Sequence, residues 1–166
     1  MDKRSAKTIL KIYRGFSLVL KEKDFDKANV RDIIKASKIS PTGFYAHFKS
    51  KEDVLQGLLA KLFLTVKIRG GFDLNSHLSL LFFRVQGDLD VWQGIVSLKE
   101  NENALRLALL PWCRSFLPKG KEEAGVKLAS ELLSASLLYF IRHPEEKSPE
   151  QLSKILQTPL TTLLSA

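Results

Sequence analysis

The stretch Ser40-Pro41-Thr42-Gly43-Phe44-Tyr45-Ala46-His47-Phe48-Lys49-Ser50-Lys51-Glu52-Asp53 contains two helix starts in quick succession. Ser40 is a good N-cap, and Pro41 suits the first helical position, where a missing N–H costs nothing. Ile39 before the cap and Phe44 at the fourth helical position are spaced for a hydrophobic staple. Phe44 and Phe48 lie four apart and share one helical face. Ser50 then caps again, with Asp53 as a box-like partner. Val54, Leu55, Leu58, Leu59, Leu62 and Phe63 form the apolar stripe of the next helix, which Gly70-Gly71 is expected to end.

Working outward, Asn29 caps a short helix that ends near Lys38, with Asp32 three residues on and Val30, Ile33 and Ile34 as its stripe. Before it, Ile9, Ile12, Phe16, Val19 and Leu20 mark one face of a first helix, expected to end near Lys23-Asp24. Three short helices, two of them joined by a tight turn, have the spacing of a helix-turn-helix over about residues 28 to 51. Such a motif needs a second helix whose inner face locks onto the first and whose outer face reaches the edges of bases. Phe44 and Phe48 suit the inner face; Thr42, Tyr45 and His47 suit the outer one. Helix starts at Asn29, Ser40 and Lys51 offer N–H groups and a cation to phosphates.

Charge supports this division. Residues 1–51 hold thirteen Lys and Arg against five Asp and Glu, a net +8; residues 52–166 hold thirteen of each. The whole excess of the chain lies in its first third, as expected of a module that meets a polyanion, although a solvated basic surface has the same composition. The 45% hydrophobic and 27% charged content is that of an ordinary globular chain. No uninterrupted apolar run reaches the roughly 18 residues of a membrane span. The N-terminus leads into an amphipathic segment rather than a signal-peptide core, so no membrane association is expected and the cytoplasm is the expected location. Cys113 is the only cysteine and has no disulfide partner in the chain.

The rest of the chain keeps helical spacing, which gives an all-α fold. Helices are expected at about 73–87, 89–99, 101–116, 121–142 and 148–164, with a break at Pro118 and Gly120. Pro159 is expected to kink or split the last one. No nucleophile–base pair, metal cluster or phosphate loop stands out. His47, His77 and His143 read as isolated, so neither catalysis, nor a metal, nor a cofactor is expected.

The run from Val30 to Leu55, and above all Phe44-Tyr45-Ala46-His47-Phe48-Lys49-Ser50-Lys51-Glu52, resembles the DNA-binding motif of the TetR family of bacterial transcriptional regulators. The resemblance covers about 50 of the 166 residues. It implies that Tyr45, His47 and Lys51 contact backbone phosphates, that Thr42 and Gly43 face the bases, and that Ala36 and Phe48 pack. With Asn29, Ser40, Pro41 and Lys49 these make up the expected DNA-binding set. Tyr45 also fits the description of a half-buried packing aromatic, and Lys49 that of a surface charge. Two positions depart from the family pattern. Lys38 stands where the turn usually has glycine, and Gly43 stands where threonine or a similar residue is common.

The resemblance further implies a DNA-binding domain over 1–51, and a regulatory and dimerisation domain over 52–166. The second half of helix 121–142 is apolar almost all round, as in a helix covered on every side. Leu132, Leu133, Leu137 and Phe140, with Leu156, Leu160 and Leu163 of the last helix, are therefore expected at a homodimer interface, the alternative being an intrachain core. Phe82, Phe83, Trp92, Trp112, Cys113 and Phe116 are either core or the lining of a pocket for a small lipophilic effector. The expected function is that of a ligand-responsive homodimeric regulator, a repressor in its simplest form, on double-stranded DNA with a near-palindromic operator. The alternative is a co-regulator of the same fold that acts through a protein partner, with weak base reading of its own.

Overall fold

The computed structural model describes residues 3–64, 73–117 and 122–165. Gly70, Gly71, Phe72, Pro118 and Gly120, and the side chain of Phe116, lie outside the described part. Among the described residues there are nine helices and no strand: α1 Lys3–Leu20, α2 Val30–Ser37, α3 Pro41–Tyr45, α4 Lys51–Leu64, α5 Leu74–Gly87, α6 Leu89–Ile95, α7 Lys99–Phe116, α8 Glu123–Arg142 and α9 Pro149–Ser165. They form two compact units. One comprises residues 1–58 and 90–105; the other comprises 59–89 and 106–166.

In the first unit the expected caps form. The Asn29 side chain accepts from the Asp32 amide at 3.0 Å, and the Asp32 carboxylate accepts in return from the Asn29 amide. Ser40 Oγ accepts from the Gly43 amide at 3.0 Å. Ser50 Oγ accepts from the Asp53 amide at 3.2 Å, while the Asp53 carboxylate reaches past Ser50 to the Lys49 amide at 2.9 Å. The helices close on a core of Ile12, Phe16, Leu20, Ile33, Phe44, Phe48, Val54, Leu55 and Leu58. Tyr13 packs on Phe48 with ring centroids 5.7 Å apart.

α1 meets neighbours at two places where no side chain fits between. A Cβ on Gly15 would collide with Ser37 Oγ and lie 2.7 Å from the Ser37 nitrogen; one on Gly94 would collide with Ser17 Oγ. Contacts this close bring α2 and α6 onto α1 backbone to backbone, and α6, distant in sequence, joins the N-terminal helices. α1 ends at Leu20, a few residues earlier than its periodicity suggests, because the Lys21–Ala28 segment turns away from the helix axis.

In the second unit α5 packs against both α8 and α9, and α8 against α9. Phe82 meets Phe140 edge to face at 5.4 Å. A Cβ on Gly125 would fall on the carbonyl of Leu163, so α8 and α9 also touch through backbone. Ser79 and Ser153 share a hydrogen bond of 2.7 Å between α5 and α9. α8 has the length and mean hydropathy, 1.4, of a membrane span, yet 56% of that window is buried inside the chain, as befits an inner helix. Pro159 does not split α9, which runs unbroken from Pro149 to Ser165. The carbonyl that Pro159 leaves unbonded belongs to Ile155, 55% exposed, where water is available to it.

Replacing Gly15 by alanine is expected to destabilise the first unit by roughly 1–3 kcal/mol, the usual scale of overpacking. Gly87→Ala serves as the control. Its Cβ meets nothing within 4 Å, and helix propensity alone predicts a small gain. Urea unfolding midpoints of the two variants should move in opposite directions.

Candidate nucleic-acid interface

The helix-turn-helix presents one face inward and one outward. Phe44 and Phe48 point in, at 0% and 7% exposure, and anchor α3 to the core. Ser40, Pro41, Thr42 and Tyr45 are exposed on the outer side, and Gly43 and His47 are half-exposed. Tyr45 is 59% exposed and meets Phe44 edge to face. It is therefore not a packing aromatic. The Ser40 cap, the Pro41 start and Thr42 sit side by side at the N-terminal end of α3, as reading base edges from a groove requires.

The turn before α3 keeps its left-handed geometry although it lacks glycine. Lys38 has φ 52° and ψ 46°, the only positive φ among the described non-glycine residues, and its amide closes on the carbonyls of Ile34 and Lys35. A side chain held there costs roughly 1–2 kcal/mol. The strain is tolerated rather than relieved, since Lys38 keeps the left-handed conformation. At Gly43 an added Cβ would meet only Ser40 Oγ, at 3.2 Å. The surface beyond it is open, and glycine leaves it without a side chain that reads bases.

The first unit carries many exposed cations. Lys49 lies just after α3; Arg31, Lys35 and Lys38 flank the turn, Arg4, Lys7, Lys11 and Arg14 are exposed on α1, and Lys21 is exposed just after α1. Two ion pairs lie in the same region, Lys23 with Asp32 at 2.8 Å and Lys27 with Asp24 at 2.5 Å. The Lys23 ammonium, with the Asn29 amide adding to it, holds the Asp32 carboxyl below its ordinary range.

Lys51 is placed differently from its expected role. Its ammonium donates to three carbonyls, of Phe25 at 2.6 Å, Asp26 at 3.0 Å and Ala28 at 3.0 Å, and lies 4.9 Å from the centre of the Phe25 ring. An ammonium has three protons, and all three are engaged within the chain. Phosphate contact by Lys51 would require breaking one of these bonds. Asn29 is also occupied, as a cap, but it stays exposed at the start of α2 beside amides available to an anion.

The expected interface residues of the second unit mostly face inward. Leu133, Leu137, Phe140, Leu156 and Leu160 are between 0% and 5% exposed within a single chain. A side chain with no exposed area has none to give to a partner, so these five belong to the intrachain core, covered by α5. Leu132 and Leu163 keep partial exposure. The apolar groups that α8 and α9 leave outside are Leu128, Tyr139 and Ile155.

The expected pocket residues divide between the units. Trp92 is buried in the first unit on α6. In the second, Phe82 packs on Phe140, Trp112 stacks on Phe63, Cys113 is buried and Phe83 is 45% exposed. Burial pushes the Cys113 thiol far above its ordinary range, so it is inert packing. His143 is not isolated: with Glu145 and Glu146 it brings three ligand atoms within 4.8 Å at the exposed turn after α8, where Glu146 already engages Tyr139 and His143.

Residues 19–58 match the family model described as "Bacterial regulatory proteins, tetR family". No curated protein sequence matches the chain. Among solved structures, the chain is similar to the dihydroxyacetone kinase operon activator DhaS, with 16% identity, a TM-score of 0.57, and 95% of this chain and 94% of that one covered. A TetR transcriptional regulator from Streptococcus agalactiae 2603V has 22% identity and a TM-score of 0.55, with 96% of each chain covered. The fatty acid degradation regulator FadR from Bacillus halodurans has 18% identity and a TM-score of 0.55, covering 99% of this chain and 96% of that one. Residues 19–58 are therefore a helix-turn-helix of the TetR-family type, and the described residues share the fold of these solved regulators.

Proposed function

We propose that this chain is a ligand-responsive DNA-binding transcriptional regulator that acts on a near-palindromic operator as a homodimer, in its simplest form as a repressor. The observation that carries the DNA-binding part is the bare outer face of α3. Ser40, Pro41, Thr42 and Tyr45 stand exposed on a helix whose opposite face is locked into the core. The proposed contact set is Asn29, Ser40, Pro41, Thr42, Gly43, Tyr45, His47 and Lys49, with Arg31 added from the exposed start of α2. Phosphate grip dominates this set, and base reading rests mainly on Thr42. The sparse readout at Gly43 supports a second reading, a co-regulator that needs a protein partner for specificity.

The exposed groups of α8 and α9 support dimerisation. Leu128, Leu132, Ala135 and Tyr139 follow one another at helical spacing along α8, and Ile155, Pro159 and Thr162 do so along α9. On a near-palindromic operator a homodimer presents its two copies of α3 to half-sites about 34 Å apart. The effector site is assigned to residues 52–166, with a small lipophilic molecule as the class suggested by the aromatic content there. A cytoplasmic location follows from the DNA target.

Three measurements test this reading. Binding to duplexes selected from a random-sequence pool should weaken steeply with salt, by roughly 0.9 in log–log slope for each phosphate contacted; binding that ignores salt would sink the DNA-binding part. Tyr45→Ala should weaken that binding while leaving the thermal midpoint unchanged, whereas Lys51→Ala should lower the midpoint, since it strips three carbonyls of their donor. Equal midpoints for the two variants would refute the division of roles. Leu128→Asp with Ile155→Asp should halve the sedimenting mass without loss of helicity; an unchanged mass excludes this face.

A further inference from the structure

The segment between α1 and α2 has no helix or sheet ladder for its backbone, and it lies directly before the capped start of α2. Local turns bond five of its amides, and side chains from far along the chain hold other polar groups of its backbone. Asn101, in the first turn of α7 and 1% exposed, donates from Nδ2 to the carbonyls of Leu20 at 3.0 Å and Lys23 at 3.1 Å; its Oδ1 accepts from the Phe25 amide. These partners are 76 to 81 residues away in sequence. Ser97 Oγ adds a bond to the Leu20 carbonyl at 3.3 Å. From the other side the Lys51 ammonium takes the carbonyls of Phe25, Asp26 and Ala28.

We infer that Asn101 is a positioning residue for DNA binding. It fixes the α1–α2 segment, with Lys51 as its counterpart on α4, and thereby sets where the first turn of α2, with Asn29 and Arg31, stands relative to α3. The inference rests on the reading of this unit as the DNA-binding one. Asn101 fits the task because a single buried amide gives two donors and one acceptor, and all three are used. A buried amide of this kind is stiff. Loss of any of its bonds leaves carbonyls or an N–H without a partner, so the segment holds one geometry rather than several. Asn101 itself touches no DNA. Its effect on affinity comes from holding phosphate-facing groups in place before the encounter, which lowers the ordering cost of binding.

The test compares the full-length chain with Asn101→Ser and Asn101→Asp. The aspartate keeps the shape but turns a donor into an anion facing two carbonyls, and the serine is the milder variant in case the aspartate does not fold. Amide exchange of Phe25 and of Asn29–Asp32 is followed well below the unfolding midpoint. Affinity and its salt slope are measured at the same temperature, on the tightest duplex that the wild type recovers from a random pool. Asn101→Ser is expected to lose exchange protection at Phe25 and to bind roughly five- to twentyfold more weakly, the scale of one or two net hydrogen bonds, with an unchanged salt slope. Undiminished affinity of the folded variant would reduce Asn101 to a structural residue and overturn the proposal. So would wild-type protection at Phe25, or a salt slope lower by about one, which would indicate a lost DNA contact. A wild-type chain that recovers no duplex overturns the DNA-binding reading itself, whereas a binding wild type with an equally tight Asn101→Ser overturns only the role of Asn101.

Discussion

Between α1 and α2 the chain leaves helix over residues 21–28, and its backbone there is held partly by local turn bonds and partly by side chains from far along the sequence. Here turns bond the amides of Lys21, Glu22, Lys23, Lys27 and Ala28, while side chains take the Phe25 amide and the carbonyls of Lys23, Phe25, Asp26 and Ala28. Asn101 and Lys51 supply these partners from two distant places in the sequence, and Ser97 adds a bond to the Leu20 carbonyl at the end of α1. This arrangement also explains why Lys51 stands at the first position of α4, where a cation is unfavourable next to the positive end of the helix dipole. The three carbonyls outweigh that penalty, since each is a charge-assisted hydrogen bond.

The elements legible in the sequence are those whose causes are local. Caps at Asn29, Ser40 and Ser50, the Pro41 start, and the Phe44–Phe48 face follow from residues within four positions of one another, and all of them form. The outward direction of Thr42 and Tyr45 follows from the same spacing. What could not be read is what depends on long-range packing. The role of Asn101 has no local signal, because an asparagine in the first turn of a helix looks like an ordinary surface residue. The engagement of Lys51 was hidden by a motif in which the same lysine suggests phosphate. α6 joins the N-terminal unit through a glycine–serine contact, and a lone Gly94 in an apolar stretch does not announce its neighbour.

α8 shows a different limit. Periodicity established that the helix is covered nearly all round, but not by what. α5 and α9 take the faces bearing Leu133, Leu137 and Phe140, and leave Leu128 and Tyr139 outside. An apolar position thus names a buried side chain only after the neighbours within its own chain have been counted. The groups that remain exposed, not the largest apolar groups, are the ones available to a second copy.

Lys38 and Gly43 pull the head in opposite directions. At Lys38 the chain carries a side chain where glycine would be unstrained, yet the left-handed turn survives because the amide bonds to Ile34 and Lys35 and the packing of Phe44 determine it from both sides. At Gly43 the chain lacks a side chain where the surface is open. The first departure leaves the geometry intact and adds a cation beside α3; the second removes a reader of bases. On the DNA-binding reading proposed above, they shift recognition toward the phosphates, which makes the placement of the α2 start a larger share of binding than it is in a head rich in base contacts. A head of this kind depends on rigidity in the segment before α2, where Asn101 and Lys51 act.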